Sequence, residues 1–251
     1  MRVRQMLLAM AASLVMLTPP LLAQTRSDTS VALHDMQWGR TTYIQSEVLE
    51  LLPSRADRPV VFDLLAWSGG ATQRLWIKAE GEVATRGGGS TGQYQFLYGR
   101  LVSPFWDAQL GLRADVRNSG GRTNSRMGAV AGFQGLAPGR FEMEPSVFVS
   151  TAGDVALDLT ASYDVYFTQR LVLQPRLEGS ASLTDVPEFG VGAGLSHGSL
   201  ALRARYEFRR EIAPYVGIVW DRQFGATADF SRAAGNDSRH ASLVVGLRLW
   251  H

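Results

Sequence analysis

Every second residue is apolar through a long series of segments in this chain, and the residues between are polar or charged. Val155, Leu157, Leu159, Ala161, Tyr163 and Val165 alternate with Asp154, Asp158, Thr160, Ser162 and Asp164. Strand side chains point to opposite faces in turn, so such a segment has one apolar face and one polar face. Repeated around a closed sheet behind an export signal, the pattern predicts a barrel in an outer membrane. Lipid would lie outside, and polar side chains would line the interior.

Alternation alone does not say which face is inside. A soluble β-sandwich or a lipocalin-like barrel shows the same period with its apolar residues turned inward. Three features favour the membrane reading: an N-terminal export signal, a final strand closed by the aromatic Trp250, and a rhythm of short and long connections. Arg2 and Arg4 precede an apolar run from Met6 to Leu17, then Thr18-Pro19-Pro20 and the small residue Ala23. That order predicts a signal peptide over residues 1–23, too short in its apolar part to be a spanning helix. A flexible periplasmic tail is expected over 24–41 and the barrel over 42–251.

Composition narrows the function classes. The absence of cysteine excludes an acylated lipoprotein, disulfides and thiolate metal sites. No later stretch is apolar enough for a membrane helix, and a mean hydropathy of −0.04 suits a barrel whose strands are half polar. A net charge of +2 without a basic run argues against nucleic acid as a partner.

The strands can be followed along the chain. Thr42 to Leu52 and Pro59 to Trp67 are less regular, split by the turn-rich Pro53 to Arg58. From Arg74 the alternation is cleaner: Leu75, Ile77, Ala79 and Val83 outward, Trp76, Lys78, Glu80 and Glu82 inward. Leu110, Leu112 and Val116 likewise oppose Gln109, Arg113, Asp115 and Arg117. Short connections are expected at Ser103-Pro104, Ala137-Pro138-Gly139, Thr168-Gln169 and Arg210 to Pro214, and longer polar ones at Thr85 to Gly92, Asn118 to Ser125 and Gly225 to Arg239. Short periplasmic turns and longer extracellular loops then place both ends of the barrel in the periplasm and require an even strand count. This holds if Phe189 to Arg209 is one strand with a bulge near His197-Gly198. The expected fold is all-β, a closed antiparallel transmembrane barrel of about twelve strands, or ten if residues 42–67 lie outside the wall. Pro145 and Pro175 are expected to mark bulges or local edges.

Several long strings in order, RLWIKAEGE (74–82), LYGRLVSPFWDAQLGLRAD (97–115), GFQGLAPGRFEMEPSVFVS (132–150), ASYDVYFTQRLVLQPRLE (161–178) and LRARYEFRREIAPYVGIVW (202–220), resemble the copper resistance protein B family of bacterial outer-membrane proteins. FGATADFSRAAG (224–235) and VVGLRLW (244–250) extend the resemblance over essentially the whole chain from about residue 42. The resemblance implies a barrel that supports copper tolerance beside periplasmic copper-binding proteins, with copper as bound or transported ion and not as a catalytic cofactor. Two departures stand out. The Met/His-rich extension of the family is reduced to His34-Asp35-Met36, and the last residue is His251 where such barrels end in an aromatic.

Cu(I) prefers thioether and thiolate sulfur, and Cu(II) prefers imidazole and carboxylate. With no cysteine and four histidines, an all-imidazole cage is out of reach. His34 and Met36 are candidates for a weak, exchangeable metal site, set against an ordinary polar tail. Met127 and Met143 have lipid-facing parity, and His197 and His240 fall near a bulge and a loop. Inward carboxylates are the stronger candidates, because such groups attract and select cations in a pore. Glu80, Glu82, Asp107, Glu142 and Glu144 form the expected cation path. Arg74, Lys78, Arg113, Arg140, Arg176, Arg203, Arg205 and Arg248 share the inward parity, so most inward charges are expected to be ion pairs filling the lumen. No nucleophile–base motif, phosphate loop or HExxH pattern occurs, and the chain is expected not to be an enzyme. The alternatives are a barrel plugged by ion pairs that only docks periplasmic partners, and an outer-membrane lipase.

Overall fold

The computed structural model of the protein describes residues 40–251 apart from Arg210. The expected signal peptide, and the tail with His34 and Met36, lie outside the described residues. Thirteen strand segments follow one another: β1 (Thr41–Leu51), β2 (Val60–Gly69), β3 (Gln73–Val83), β4 (Ser90–Ser103), β5 (Trp106–Ser119), β6 (Arg122–Ala137), β7 (Phe141–Ser150), β8 (Val155–Ser162), β9 (Val165–Tyr166), β10 (Leu171–Ser182), β11 (Gly194–Tyr206), β12 (Ile212–Gln223) and β13 (Arg239–Trp250). Each is antiparallel to its neighbour, and β1 pairs with β13, so the sheet closes on itself. Ile44 N donates to His251 O at 3.0 Å and His251 N to Ile44 O at 2.8 Å, which carries the seam to the last residue. Closure leaves no open edge, the condition for strands to cross lipid.

The wall has twelve strands, because β8 and β9 are one strand interrupted. Ser162 pairs with Arg176 and Val165 with Leu173, so the register is the same on both sides of the gap. The interruption falls at Pro175, which lacks an N–H but accepts from Tyr163 N at 3.1 Å. Pro145 behaves alike. Gly132 pairs with Ser146 and Gly135 with Met143, again without a slip. The expected bulges at these prolines are therefore lost ladder bonds without a change of register.

Exposure decides which face is inside. Leu112 is 62% exposed while its neighbour Arg113 is 6% exposed, and the same inversion runs round the wall. Apolar side chains such as Leu110, Ile77, Phe96, Met127 and Val245 form the exterior, and Arg176, Arg203, Asp107 and Asp115 are buried within. A soluble barrel would reverse this. At the end where the short turns gather, Phe105, Phe141, Tyr166, Phe167, Tyr206 and Phe208 stand exposed, the position of an aromatic girdle.

Several boundaries differ from expectation, each for a local reason. Residues 42–67 belong to the wall, so the ten-strand alternative does not hold. The expected long loop at Asn118 to Ser125 is a two-residue turn of Gly120 and Gly121, both at positive φ (58° and 79°), the geometry a tight hairpin needs. The segment expected as a strand from Phe189 starts pairing only at Gly194, after a 3-10 turn over Pro187–Phe189. The bulge is where parity required it, at Ser196, between the pairs His197–Ser180 and Leu195–Ala181. Arg140, expected inward, sits exposed in the turn before β7 with φ 69°. The connection from Gly225 to Arg239 holds a helix, α1 (Gly225–Ala233).

Placing a charge on the outer face should be costly. Leu112→Arg is expected to lower stability in a bilayer by about 2–4 kcal/mol, read as loss of the fast-migrating unboiled band on a gel at lower urea. The conservative Leu112→Val should leave that band unchanged.

Candidate functional site

Half of each strand's side chains are forced into the lumen, and the charges there neutralise one another across it. Arg113 on β5 binds Asp115 at 2.8 Å and reaches over β6 and β7 to Asp158 at 2.6 Å. Arg126 binds the other oxygen of Asp115 at 2.8 Å. Arg176 on β10 gathers Glu178 at 2.6 Å, Asp63 at 2.8 Å and Glu47 at 3.5 Å, tying β10 to β1 and β2. Arg203 makes a bidentate pair with Glu50 at 3.0 and 3.1 Å, and the Tyr215 hydroxyl donates to Glu50 at 3.2 Å. Tyr215 lies over Gly246, where an added Cβ would come within 2.3 Å of the ring. Arg205 pairs with Asp164 at 2.8 Å. A guanidinium fork matches two carboxylate oxygens, which suits arginine to this work. Lysine appears once in the chain, as Lys78.

The five expected path residues divide in two. Asp107 is held by Arg74 at 2.9 Å, Glu144 by Lys78 at 2.8 Å and Glu82 by Arg55 at 3.1 Å. Glu80 and Glu142 enter no ion pair among the described residues. Glu80 accepts from Gln93 Nε2 and faces Asp63 on β2. Glu142 accepts from Ser162 Oγ at 3.4 Å. Two inward acids escaped the sequence reading. Glu47 is the extra residue at a register shift in β1 between Ser46 and Val48, and Glu50 follows just after it, so only the arginines they meet reveal their side.

Side chains occupy much of the lumen and leave at least two spaces within it. A cavity of ≈ 70 Å³ lies between Asp63, Lys78, Glu80, Gln93, Glu144 and Arg176, room for about five waters at roughly 10–15 Å³ each. A second space of ≈ 260 Å³ lies nearer the loop end, bounded by Glu80, Gln93, Arg126, Phe189 and Val191. Glu80 and Gln93 therefore stand between the two spaces. Over the second one folds the connection 183–193. Asn124 Nδ2 donates to Glu188 O at 2.8 Å, Arg117 donates to Phe189 O, and the Arg126 guanidinium stacks 4.7 Å from the Phe189 ring. Gly192 N donates to Thr227 Oγ1 of α1 at 2.8 Å. The β5–β6 hairpin and the β10–β11 connection are separated by two strands, so the loop reaches past them and covers that side of the mouth.

His197 Nε2 lies 3.6 Å from Asp221, and His240 is Asp221's partner on the next strand. Both histidines have inward parity, away from the outer face where a lipase's serine–histidine pair would stand. Among the described residues no three His, Asp or Glu side chains converge as a ready-made metal cage. Met127 is exposed on the exterior as its parity required.

Residues 40–251 match the family model described as copper resistance protein B precursor (CopB). The chain is 42% identical over 185 residues to copper resistance protein B of Escherichia coli, covering 74% of this chain and 61% of that protein. It is 38% identical over 209 residues to the copper resistance protein B homolog of Pseudomonas syringae pv. tomato (strain ATCC BAA-871 / DC3000), covering 83% of this chain and 69% of that protein. The chain thus spans about three fifths of the first relative's length. Among solved structures, a KdgM porin aligns with a TM-score of 0.46 at 11% identity, over 82% of this chain and 98% of the porin. A NanC porin aligns with a TM-score of 0.49 at 10% identity, over 83% and 99%.

The lumen pairs carry a stability test. Arg203 and Glu50 are almost fully enclosed, with side-chain exposures of 7% and 3%. Arg203→Ala leaves Glu50 buried without its partner and is expected to cost about 3–5 kcal/mol in reversible urea unfolding from liposomes. Arg203→Met combined with Glu50→Gln should cost clearly less.

Proposed function

The chain belongs to the copper resistance protein B family, and on that premise we propose that it is an outer-membrane barrel that binds copper ions in its lumen and passes them across the membrane. One observation carries the reading. Glu80 stands without a basic partner between the two lumen spaces, in a lining whose other acids are each held in an ion pair. A carboxylate so placed attracts a cation entering from either side, while the paired acids hold the wall. Glu142 offers a second such group toward the turn end. Cu(II) accepts carboxylate and imidazole ligands, and a few weak sites in series favour passage over retention. An ion that enters through the second space passes beneath the loop 183–193, whose Phe189 and Val191 line it. His34 and Met36, which precede the matched residues 40–251, add a weak, exchangeable site on the chemistry of their side chains alone, and a periplasmic copper-binding protein meets the turn end, a reading that rests on the family.

A second reading has its own support. The dense ion pairs and the small inner cavity suit a plugged barrel that docks periplasmic partners without conducting. Copper flux into liposomes containing the purified barrel separates the two. Glu80→Gln and Glu142→Gln together are expected to reduce flux several-fold while the barrel stays folded. Asp107→Asn and Glu144→Gln, which strand Arg74 and Lys78, should lower stability first. Absence of flux through the native barrel, or flux unchanged in the folded Glu80→Gln, Glu142→Gln variant, would favour the plugged barrel.

A further inference from the structure

We propose that Arg222 and Arg239 form a site on the outer face of the wall for the phosphate of an outer-leaflet lipid headgroup. The outward positions of β12 and β13 rise toward the loop end as cross-strand pairs: Ile218 with Leu243, Trp220 with Ala241, then Arg222 with Arg239. The arginines thus cap the apolar exterior directly above Trp220. They are set within that surface rather than clear of it. Leu195 on the adjoining strand and Leu183 beyond it are also turned out, at 53% and 64% exposure, on the loop side of the same wall.

Two like charges directly opposed across a strand pair repel each other. Every buried lumen arginine considered above has a carboxylate, whereas neither Arg222 nor Arg239 forms an ion pair or a side-chain hydrogen bond among the described residues, Asp237 included. The Arg222 guanidinium stacks 5.1 Å from the Phe224 ring, which steadies its plane and leaves its N–H edges free. Trp220, Arg222, Arg239 and Ala241, with Asp221 and His240, line a cleft of ≈ 270 Å³. An anion seated there relieves the repulsion, and a phosphate accepts from both forks at once. The location selects the source. A tryptophan at the top of a lipid-facing surface marks the interface with the headgroups, so the phosphate that reaches this cleft laterally belongs to a lipid.

Native mass spectrometry of the full barrel in detergent tests the site, with bisphosphorylated lipid A, its dephosphorylated counterpart and inorganic phosphate as probes. Arg222→Gln with Arg239→Gln is expected to weaken lipid A binding at least about tenfold, since each charged hydrogen bond lost is worth roughly that factor. Dephosphorylated lipid A should bind the native barrel no better than the double variant binds lipid A. Millimolar phosphate should not compete. Each single glutamine variant should lose part of the affinity, which keeps the comparison available if the double variant does not fold. Undiminished lipid A binding in the folded variants, or equal binding of the dephosphorylated lipid, would overturn the proposal. Inorganic phosphate displacing the lipid would make the cleft a site for free anions and overturn its lipid assignment.

Discussion

Charges enclosed in a narrow lumen must neutralise one another, and most of this structure follows from how they do so. Moving an ion out of water costs several kcal/mol, which an excellent partner offsets and a missing one does not. Arg113, Arg176 and Arg203 find their carboxylates on strands that are not their neighbours. The pairs therefore brace the barrel across its width, in addition to the ladder bonds that run round it. Trp67 and Phe148 support the same network, since the Arg74 and Arg113 guanidinium groups each stack 4.6 Å from one of these rings. Bracing also narrows the lumen, so stability and permeability draw on the same residues.

That coupling explains why Glu80 and Glu142 matter more than their number implies. An acid already held by arginine can recruit a cation only by releasing its partner. An acid held by Gln93 or Ser162 gives up a neutral donor instead. On the proposed reading the ion-paired residues are the frame and the unpaired acids are the path. The loop 183–193, fastened to Arg117, Asn124 and α1, is the element that an ion entering through the second space would pass beneath.

The wall was legible in the sequence because period two is a local property. Leu110 to Val116 and Leu75 to Val83 could be assigned to their faces from spacing alone, and the parity switch placed a bulge within one residue of Ser196. What local spacing does not carry was missed. Glu47 and Glu50 lie beside an irregularity in β1 that hides their side. The glycine pair at 120–121 makes a tight turn because both residues reach positive φ, although the polar stretch around it reads as a loop. Which acids are paired and which are free depends on contacts between residues up to 153 positions apart, as in Arg203 with Glu50. No spacing rule sees that distance.

The central claim is that polar side chains face a lumen and apolar ones face lipid. Since the chain has no cysteine, single cysteines can be introduced for spin labels at Leu110 and Leu112 on the exterior and at Gln93 and Gln109 within. Accessibility to oxygen and to a water-soluble nickel chelate in liposomes then reads the faces directly. The two leucine positions should be open to oxygen and shielded from the chelate, and the two glutamine positions should be protected from lipid-phase oxygen. Oxygen-exposed labels at Gln93 and Gln109, with Leu110 and Leu112 shielded, would contradict the inverted barrel and the account built on it.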